Sequence, residues 1–459
     1  MFVDEEYILK LLSEAKNPSA ERVDEVLEKA RSLKTLSHKD VAVLLEIEDK
    51  MHLQKMFDIA GEIKNAIYGN RVVIFAPLYI SDFCINNCTY CGYRRDNSFD
   101  RRKLTMEEIQ EEVKILERMG HKRLALEVGE DGKNCDIDYV IEAIKAIYDT
   151  KLNHGEIRRI NVNVAATTIE DYKKLKSANI GTYILFQETY HKQTFENVHP
   201  DSVKGNYEYH LTAFDRAMEA GIDDVGAGVL FGLYDAKYEI MGLFLHNEHL
   251  EKSKGVGFHT VSVPRLKKAE GMKLSEFPYL PDDLTFKKMV AIIRLMLPFT
   301  GIILSTRESA KIRKELIKYG VSQMSAGSSP GVGAYKHSES GGHEVKQFEV
   351  SDERTPNEIL KSLIQDGFIP SYCTACYRQG RTGDRFMQLA KTGEIQNVCQ
   401  PNALMTLMEY LIDYGDMELY SLGLALINKE IKKISSQKIR KLTIENIEEM
   451  IAGKRDLFF

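Results

Sequence analysis

The stretch Val72-Val-Ile-Phe-Ala-Pro-Leu-Tyr-Ile-Ser-Asp-Phe-Cys84-Ile-Asn-Asn-Cys88-Thr-Tyr-Cys91 decides the fold and holds the first chemical clue. It opens on a β-rich apolar run, Val72 to Phe75, and closes on three cysteines packed between positions 84 and 91. Three thiolates so spaced can hold three corners of a four-iron cluster and leave the fourth iron free, whereas protein-held clusters ordinarily take four Cys. A metal site with an open position is as a rule catalytic rather than structural. No fourth Cys or His follows locally at zinc-like spacing, and Cys is scarce elsewhere in the chain, which weighs against a zinc knuckle.

Upstream of this stretch the period is helical. Residues 1–70 carry amphipathic segments such as Ala20-Glu-Arg-Val-Asp-Glu-Val-Leu-Glu-Lys-Ala, and they predict an N-terminal helical cap. Downstream, seven further β-rich runs alternate with helical patterns: Arg123–Val128, Ile160–Val164, Thr182–Phe186, Asp224–Leu230, His259–Val263, Gly301–Ser305 and Val321–Ser325. The clearest intervening helix opens on a capping box, Thr105 to Glu108, ahead of Ile109, Val113, Ile115 and Leu116. Eight strands alternating with helices predict an α/β fold, a parallel (β/α)8 TIM-type barrel over residues 71–345, with reactive groups at the strand C-terminal ends. The cysteine loop follows the first strand, as that rule requires. A Gly and Ser rich stretch from Gly327 through Ser340-Gly-Gly closes the barrel. Without a G-x-x-x-x-G-K-[ST] pattern it reads as a plain loop rather than a phosphate cradle.

Residues 346–459 form a mostly helical C-terminal extension with a second cysteine group. Cys373-Thr-Ala-Cys376, then Cys399, again supply three thiolates without an obvious fourth. The economical reading is a second cluster with an open iron; the alternative is a zinc site completed by a distant His. The seventh cysteine, Cys135, is assigned no role. Six of seven cysteines in two tight groups point to metal ligation in a reducing compartment, not to disulfides. The 459 residues carry a formal net charge of −6 with Lys and Arg interspersed among acids, so nucleic acid is an unsuitable substrate. Neither a signal-like N-terminus nor a long apolar run is visible, and a soluble cytoplasmic protein with no membrane partner is expected.

The C-x3-C-x2-C spacing, with Tyr90 before the third Cys, resembles the signature of the radical S-adenosylmethionine (SAM) superfamily. That resemblance implies that SAM chelates the open iron through its amino and carboxylate groups and is cleaved by one electron to methionine and a 5'-deoxyadenosyl radical. Over nearly its whole length the chain resembles one family within it, the tyrosine lyase of [FeFe]-hydrogenase maturation, or HydG family. The motifs that carry the likeness are CINNCTYCGYRRDN at 84–97, LEVGED at 126–131, FQETYH at 186–191, DRAMEAGIDDVGAGVLFGLYD at 215–235, HTVSVPR at 259–265, ILSTRES at 303–309 and CTACYRQGRTGDRFMQLAK at 373–391. The barrel motifs are shared with the thiamine-pathway tyrosine lyase (2-iminoacetate synthase); the tail cysteines separate the two.

The resemblance implies cleavage of L-tyrosine at Cα–Cβ, by a radical formed at its amino group, to p-cresol and dehydroglycine. The two-carbon fragment then yields CO and cyanide. It further implies an auxiliary [4Fe-4S] cluster with a labile fifth iron, bridged by free cysteine, on which an Fe(CO)2CN unit forms for the hydrogenase H-cluster. Implied partners are a ferredoxin or flavodoxin reductant and the other hydrogenase maturases, among them a scaffold GTPase. A non-catalytic iron-sulfur scaffold is the reading from another class.

Several single residues follow. Glu130 stands where the superfamily presents a Gly-Gly-Glu segment to the methionine ammonium of SAM, although Val128 replaces the first Gly; Glu188, ending the fourth run, is a second candidate for SAM contact. Ser305 and Arg307 end the seventh run, where an Arg fork beside a hydroxyl suits the tyrosine carboxylate. For the labile iron an imidazole is suitable, and His249 and His259 are both expected near the barrel's lower end, with His249 preferred.

Overall fold

The computed structural model describes residues 1–340 and 345–459, so Gly341 and Gly342 of the Gly/Ser-rich stretch lie outside the described residues. Four helices come first, Glu5–Glu14, Ala20–Arg31, His38–Leu45 and Lys50–Tyr68. Their N-caps Asp4, Ser19, Ser37 and Asp49 each accept the backbone N–H of the third helical residue, and such a cap is worth about 1 kcal/mol. The fourth helix buries Leu53, Met56, Phe57, Ala60, Ile63 and Ile67 along one stripe. That stripe packs on the helices Asp283–Met296 and Ala310–Tyr319 of the barrel's outer ring.

The barrel strands are β1 (Arg71–Ser81), β2 (Arg123–Val128), β3 (Arg159–Asn163), β4 (Tyr183–Glu188), β5 (Val225–Val229), β6 (Thr260–Ser262), β7 (Gly301–Leu304) and β8 (Gln323–Ser325). Each coincides with one of the eight runs. Neighbours pair in parallel in this order, and β8 closes onto β1 with Val73 opposite Gln323. The capping box predicted at Thr105–Glu108 opens the helix Met106–Arg118.

Two features differ from the sequence reading. The tail is not purely helical: Ile369–Ser371 forms β9, which pairs in parallel with the start of β1, Arg71 opposite Ile369 and Val73 opposite Ser371. Because β1 is 11 residues long, its lower end projects past β2 and has a free edge there for β9 to fill. The Gly/Ser-rich stretch is not loop throughout either, since Ala334–Ser340 is helical. Beyond β9 lie the tail helices Ala375–Arg378, Gly383–Thr392, Gln396–Tyr414, Met417–Ile431 and Gln437–Ile451.

TIM-type barrels usually fill their interior with branched side chains. Here the middle of the barrel is lined partly by small residues, Ala125, Gly226 and Gly301. A Cβ on Gly226 would stand 2.4 Å from Thr260 Oγ1, and one on Gly301 2.7 Å from Gln323 Nε2. These glycines make room for two polar side chains inside the barrel, and space remains above and below them.

Candidate active site

Above the glycine level lies a cavity of about 250 Å³ at the strand C-terminal ends, with Cys84, Cys88 and Cys91 in its wall. The loop that carries them has little regular structure and is fixed by side chains instead. Arg101 donates to the carbonyls of Asp82, Tyr93 and Arg94, at 2.6, 2.9 and 2.6 Å. Glu130 clamps the loop from β2: its carbonyl accepts from Ile85 N at 2.8 Å and its carboxylate from Asn86 Nδ2 at 2.5 Å. Burial raises the Cys88 thiol well above its ordinary value and the Cys91 thiol to about 11, so these sulfurs are costly to ionise without a cation beside them. Lys204 supplies part of that charge, lowering both thiols, while its ammonium holds Glu188 at 2.7 Å. Glu188 itself closes β4 with a φ of +65° at a register shift, turning its carboxylate into the cavity.

Both acids expected to contact SAM therefore line the cysteine cavity, as do Ser305 and Arg307. The segment after β7 is anchored by Glu308, whose carboxylate takes the buried Arg265 guanidinium, one contact being 2.9 Å from Nε. Arg307 lies across the Phe348 ring, 3.5 Å from its centroid, and its Nη and Nε atoms pair with no carboxylate among the described residues. Lys204, Glu127 and Asn163 also face this space and were not singled out by sequence. Asn163 Nδ2 donates to Glu127 Oε1 at 2.7 Å, and burial pushes the Glu127 carboxyl up to about 8.

Below the glycine level is a second cavity, of about 100 Å³, walled by Cys373, Cys376, Cys399 and His259. Cys373 follows β9 after Tyr372, Cys376 sits in the short helix Ala375–Arg378, and Cys399 comes from the first turn of Gln396–Tyr414. Arg71, Arg123 and Arg381 face the same space. Arg71 Nη1 and Arg381 Nε are buried without a hydrogen-bond partner among the described residues, and buried positive charge of this kind calls for an anion. His259 Nδ1 is likewise buried and unpartnered, with Nε2 3.9 Å from Asp224 and the ring edge-on to Phe386.

His249, the preferred candidate, stands apart from the lower cavity. It lies on the outer helix Ala236–Lys254, where Nε2 bonds Asp215 at 2.9 Å and the ring stacks on Phe2 at 3.9 Å. It faces the N-terminal cap, away from the tail cysteines. Cys135 is buried under the first site, its thiol donating to the Gly129 carbonyl at 3.2 Å.

Among the described residues no three His, Cys, Asp or Glu side chains converge on a point that would hold a single ion. A cluster asks something else of its ligands, one thiolate for each of three separate irons, and three thiols around an open cavity with a lysine beside them fit that demand at the upper site. Gln323 lines both cavities, so one side chain stands between them. No helix among the described residues is long and apolar enough to cross a membrane.

Comparison with known proteins agrees with this geometry. Residues 78–245 match the Radical SAM superfamily and residues 262–369 the Biotin and Thiamin Synthesis associated domain. A crystal structure of HydG, a maturase of the [FeFe]-hydrogenase, superposes with a TM-score of 0.97 at 55% identity, covering 100% of both chains. The HydG structure from Carboxydothermus hydrogenoformans gives 0.82 at 39% identity over 96% of this chain and 97% of that one. The 2-iminoacetate synthase of Escherichia coli (strain K12) is 28% identical over 345 residues, 75% of this chain and 89% of its own length. A barrel that brings the three cysteines, Glu130 and an unpaired arginine to one cavity, matched along its whole length at this identity, is a radical SAM enzyme with a [4Fe-4S] cluster and SAM as its cofactors, and the chain belongs to the HydG family.

Proposed function

We propose that the protein cleaves L-tyrosine at its Cα–Cβ bond to p-cresol and dehydroglycine and converts the fragment to CO and cyanide on iron, for assembly of the [FeFe]-hydrogenase H-cluster. One observation carries the proposal: two cysteine-walled cavities lie at opposite ends of one barrel, with Gln323 between them. When bound, the first cluster and SAM supply the 5'-deoxyadenosyl radical that starts the reaction, and that chemistry belongs to the cofactors. The chain's part is to bind, orient and exclude water.

In this reading Cys84, Cys88 and Cys91 hold the cluster, while Glu130 and Glu188 receive SAM. Arg307 and Ser305 take the substrate carboxylate, a fork-and-hydroxyl grip that sets the amino group toward the centre of the cavity. At the lower site Cys373, Cys376 and Cys399 hold the auxiliary [4Fe-4S] cluster, and His259 offers its free Nδ1 to a labile iron that is the cargo of the reaction. The guanidinium groups of Arg71, Arg123 and Arg381 offset the negative charge there. Free cysteine is the proposed bridging ligand; a ferredoxin or flavodoxin and the scaffold GTPase are the proposed protein partners, in the cytoplasm. The chain divides in this reading into a helical cap (1–70), the barrel (71–345) and the auxiliary-cluster domain (346–459).

A second reading, the thiamine-pathway lyase, is favoured by the likeness to 2-iminoacetate synthase, although that match leaves a quarter of this chain outside it. Anaerobic reconstitution with SAM, dithionite and tyrosine separates the readings. The expected products are 5'-deoxyadenosine, p-cresol, CO and cyanide. Glyoxylate and ammonia, from hydrolysis of the fragment, in place of CO would favour the thiamine enzyme. A preparation without 5'-deoxyadenosine would leave only the scaffold reading.

A further inference from the structure

Glu127 and Asn163 stand side by side on β2 and β3, with their side chains in the wall of the upper cavity. Asn163 donates its amide N–H to Glu127 Oε1 at 2.7 Å. Among the described residues Asn163 Oδ1 is then left buried with no partner, and Glu127 Oε2 accepts from no donor. Two adjacent acceptors without donors, inside a cavity, call for a ligand carrying N–H groups. The same cavity holds Arg307, whose guanidinium has no carboxylate partner among the described residues. Unmatched acceptors near an unmatched cationic fork are the two halves of a site for an α-amino acid.

We infer that Glu127 and Asn163 receive the α-amino group of the substrate and that Glu127 removes its proton before the radical acts. The inference deepens the tyrosine-lyase reading and rests on it. In the first step one N–H bond of the ammonium breaks heterolytically: the electron pair stays on nitrogen and the proton passes to the Glu127 carboxylate. The products are a neutral amine and a neutral carboxylic acid, so an ion pair is exchanged for two uncharged groups. When bound, SAM would supply the radical that takes a hydrogen atom from a remaining N–H bond of that amine. An ammonium has no lone pair on nitrogen to stabilise the radical so formed, whereas a neutral amine has.

The groups facing Glu127 are Asn163 of β3, Tyr79 of β1 and Arg307 after β7. Burial is the largest influence on its carboxyl and raises it to about 8; Asn163 and Arg307 act in the opposite direction. A proton acceptor works best when matched to the donor it serves, and a carboxyl in this range lies far nearer an amine than an ordinary glutamate does.

Binding and turnover of the SAM-loaded holoenzyme test the inference separately. Without reductant, tyrosine binding followed calorimetrically at pH 7, in buffers of different ionisation enthalpy, should release about one proton per tyrosine, because Glu127, largely protonated in the free enzyme, must give its own proton to solvent before it can take the substrate's. The release should vanish in Glu127→Gln and persist in Glu127→Asp. With reductant, Glu127→Gln should make p-cresol about 10²-fold more slowly at pH 7. Its rate should rise about tenfold per pH unit towards the amine's own ionisation, while uncoupled SAM cleavage without tyrosine is retained as a sign of an intact first site. Equal proton release in wild type and Glu127→Gln would overturn the inference, as would an unchanged rate and pH profile. Absence of p-cresol from the wild type would instead remove the lyase reading itself.

Discussion

Arg307 is half-buried against Phe348 with its fork turned to the cavity, so a carboxylate arriving there meets a partly desolvated cation. A charge-assisted hydrogen bond in such a place contributes about 1.5–3 kcal/mol. Arg307→Ala should therefore weaken tyrosine binding by about one to two orders of magnitude, with SAM binding unchanged, as measured by equilibrium binding. Arg307→Lys should recover little, since an ammonium cannot reproduce a planar two-point grip. The two histidines give a second contrast. His259→Ala should leave p-cresol formation intact but lower the iron bound per chain by about one atom, which metal analysis reads. His249→Ala should keep the iron and lower stability by about 1–2 kcal/mol, through loss of the Phe2 stack and the Asp215 contact, as a denaturant midpoint would show. Arg307 and Ser305 were legible in the sequence because they end a strand where a barrel places its reactive groups. Lys204 and Glu127 were not: one sits in an unpatterned turn, Val203–Gly205, and the other inside a strand whose inward face only the closed barrel defines. Which of His249 and His259 lines the lower cavity was hidden for a related reason. Both follow or precede barrel elements at similar depth, and what separates them is which side of the wall each faces.

At the scale of elements, the eight barrel strands were readable because each is a short β-branched run between helical patterns. β9 was not, since Ile369-Pro-Ser is three residues long and contains a proline that cannot donate to a ladder. It is a strand only because the overlong β1 leaves an edge for it. The N-terminal cap rests on a more local device. Asp40 completes the capping box with Ser37 and takes Arg22 at 2.5 Å and Lys29 at 2.6 Å from the neighbouring helix Ala20–Arg31. Burial alone would raise its carboxyl, but Lys29, Ser37 and their neighbours outweigh it and hold the group at about 2. A carboxyl lowered on folding stabilises the native state above its unfolded value, and that stabilisation is lost as pH falls from about 4 through about 2. Asp40→Asn should therefore cost about 2 kcal/mol at pH 7 and much less below pH 2, and thermal melts across that range would measure the difference.

At the scale of the molecule, the two cavities lie at opposite ends of the barrel and differ in lining, acids, Lys204 and Arg307 above and three arginines around the cysteines below. If the tail receives only the fragment, its loss spares bond cleavage above. A Cys373→Ala, Cys376→Ala variant should still form p-cresol, at a rate within about threefold of wild type, while iron-bound CO and cyanide bands disappear from the infrared spectrum. A normal yield of those bands in the variant would make the tail structural. The tail's cysteines were visible in the sequence, but the arginine lining around them was not, because Arg71, Arg123 and Arg381 come from three distant segments that only the fold assembles.

The closure of β8 onto β1 also sets a timetable for synthesis. Roughly 240 residues separate Ser81 from Gln323, and at about 5–20 residues per second the ribosome needs on the order of tens of seconds to supply them. Throughout that interval β1 has an unpaired edge, and Cys84, Cys88 and Cys91 emerge just behind it with no barrel to shelter them. A complete pocket around the three thiols therefore exists only once the last strand is in place, and until then they stand open to solvent and to whatever it carries.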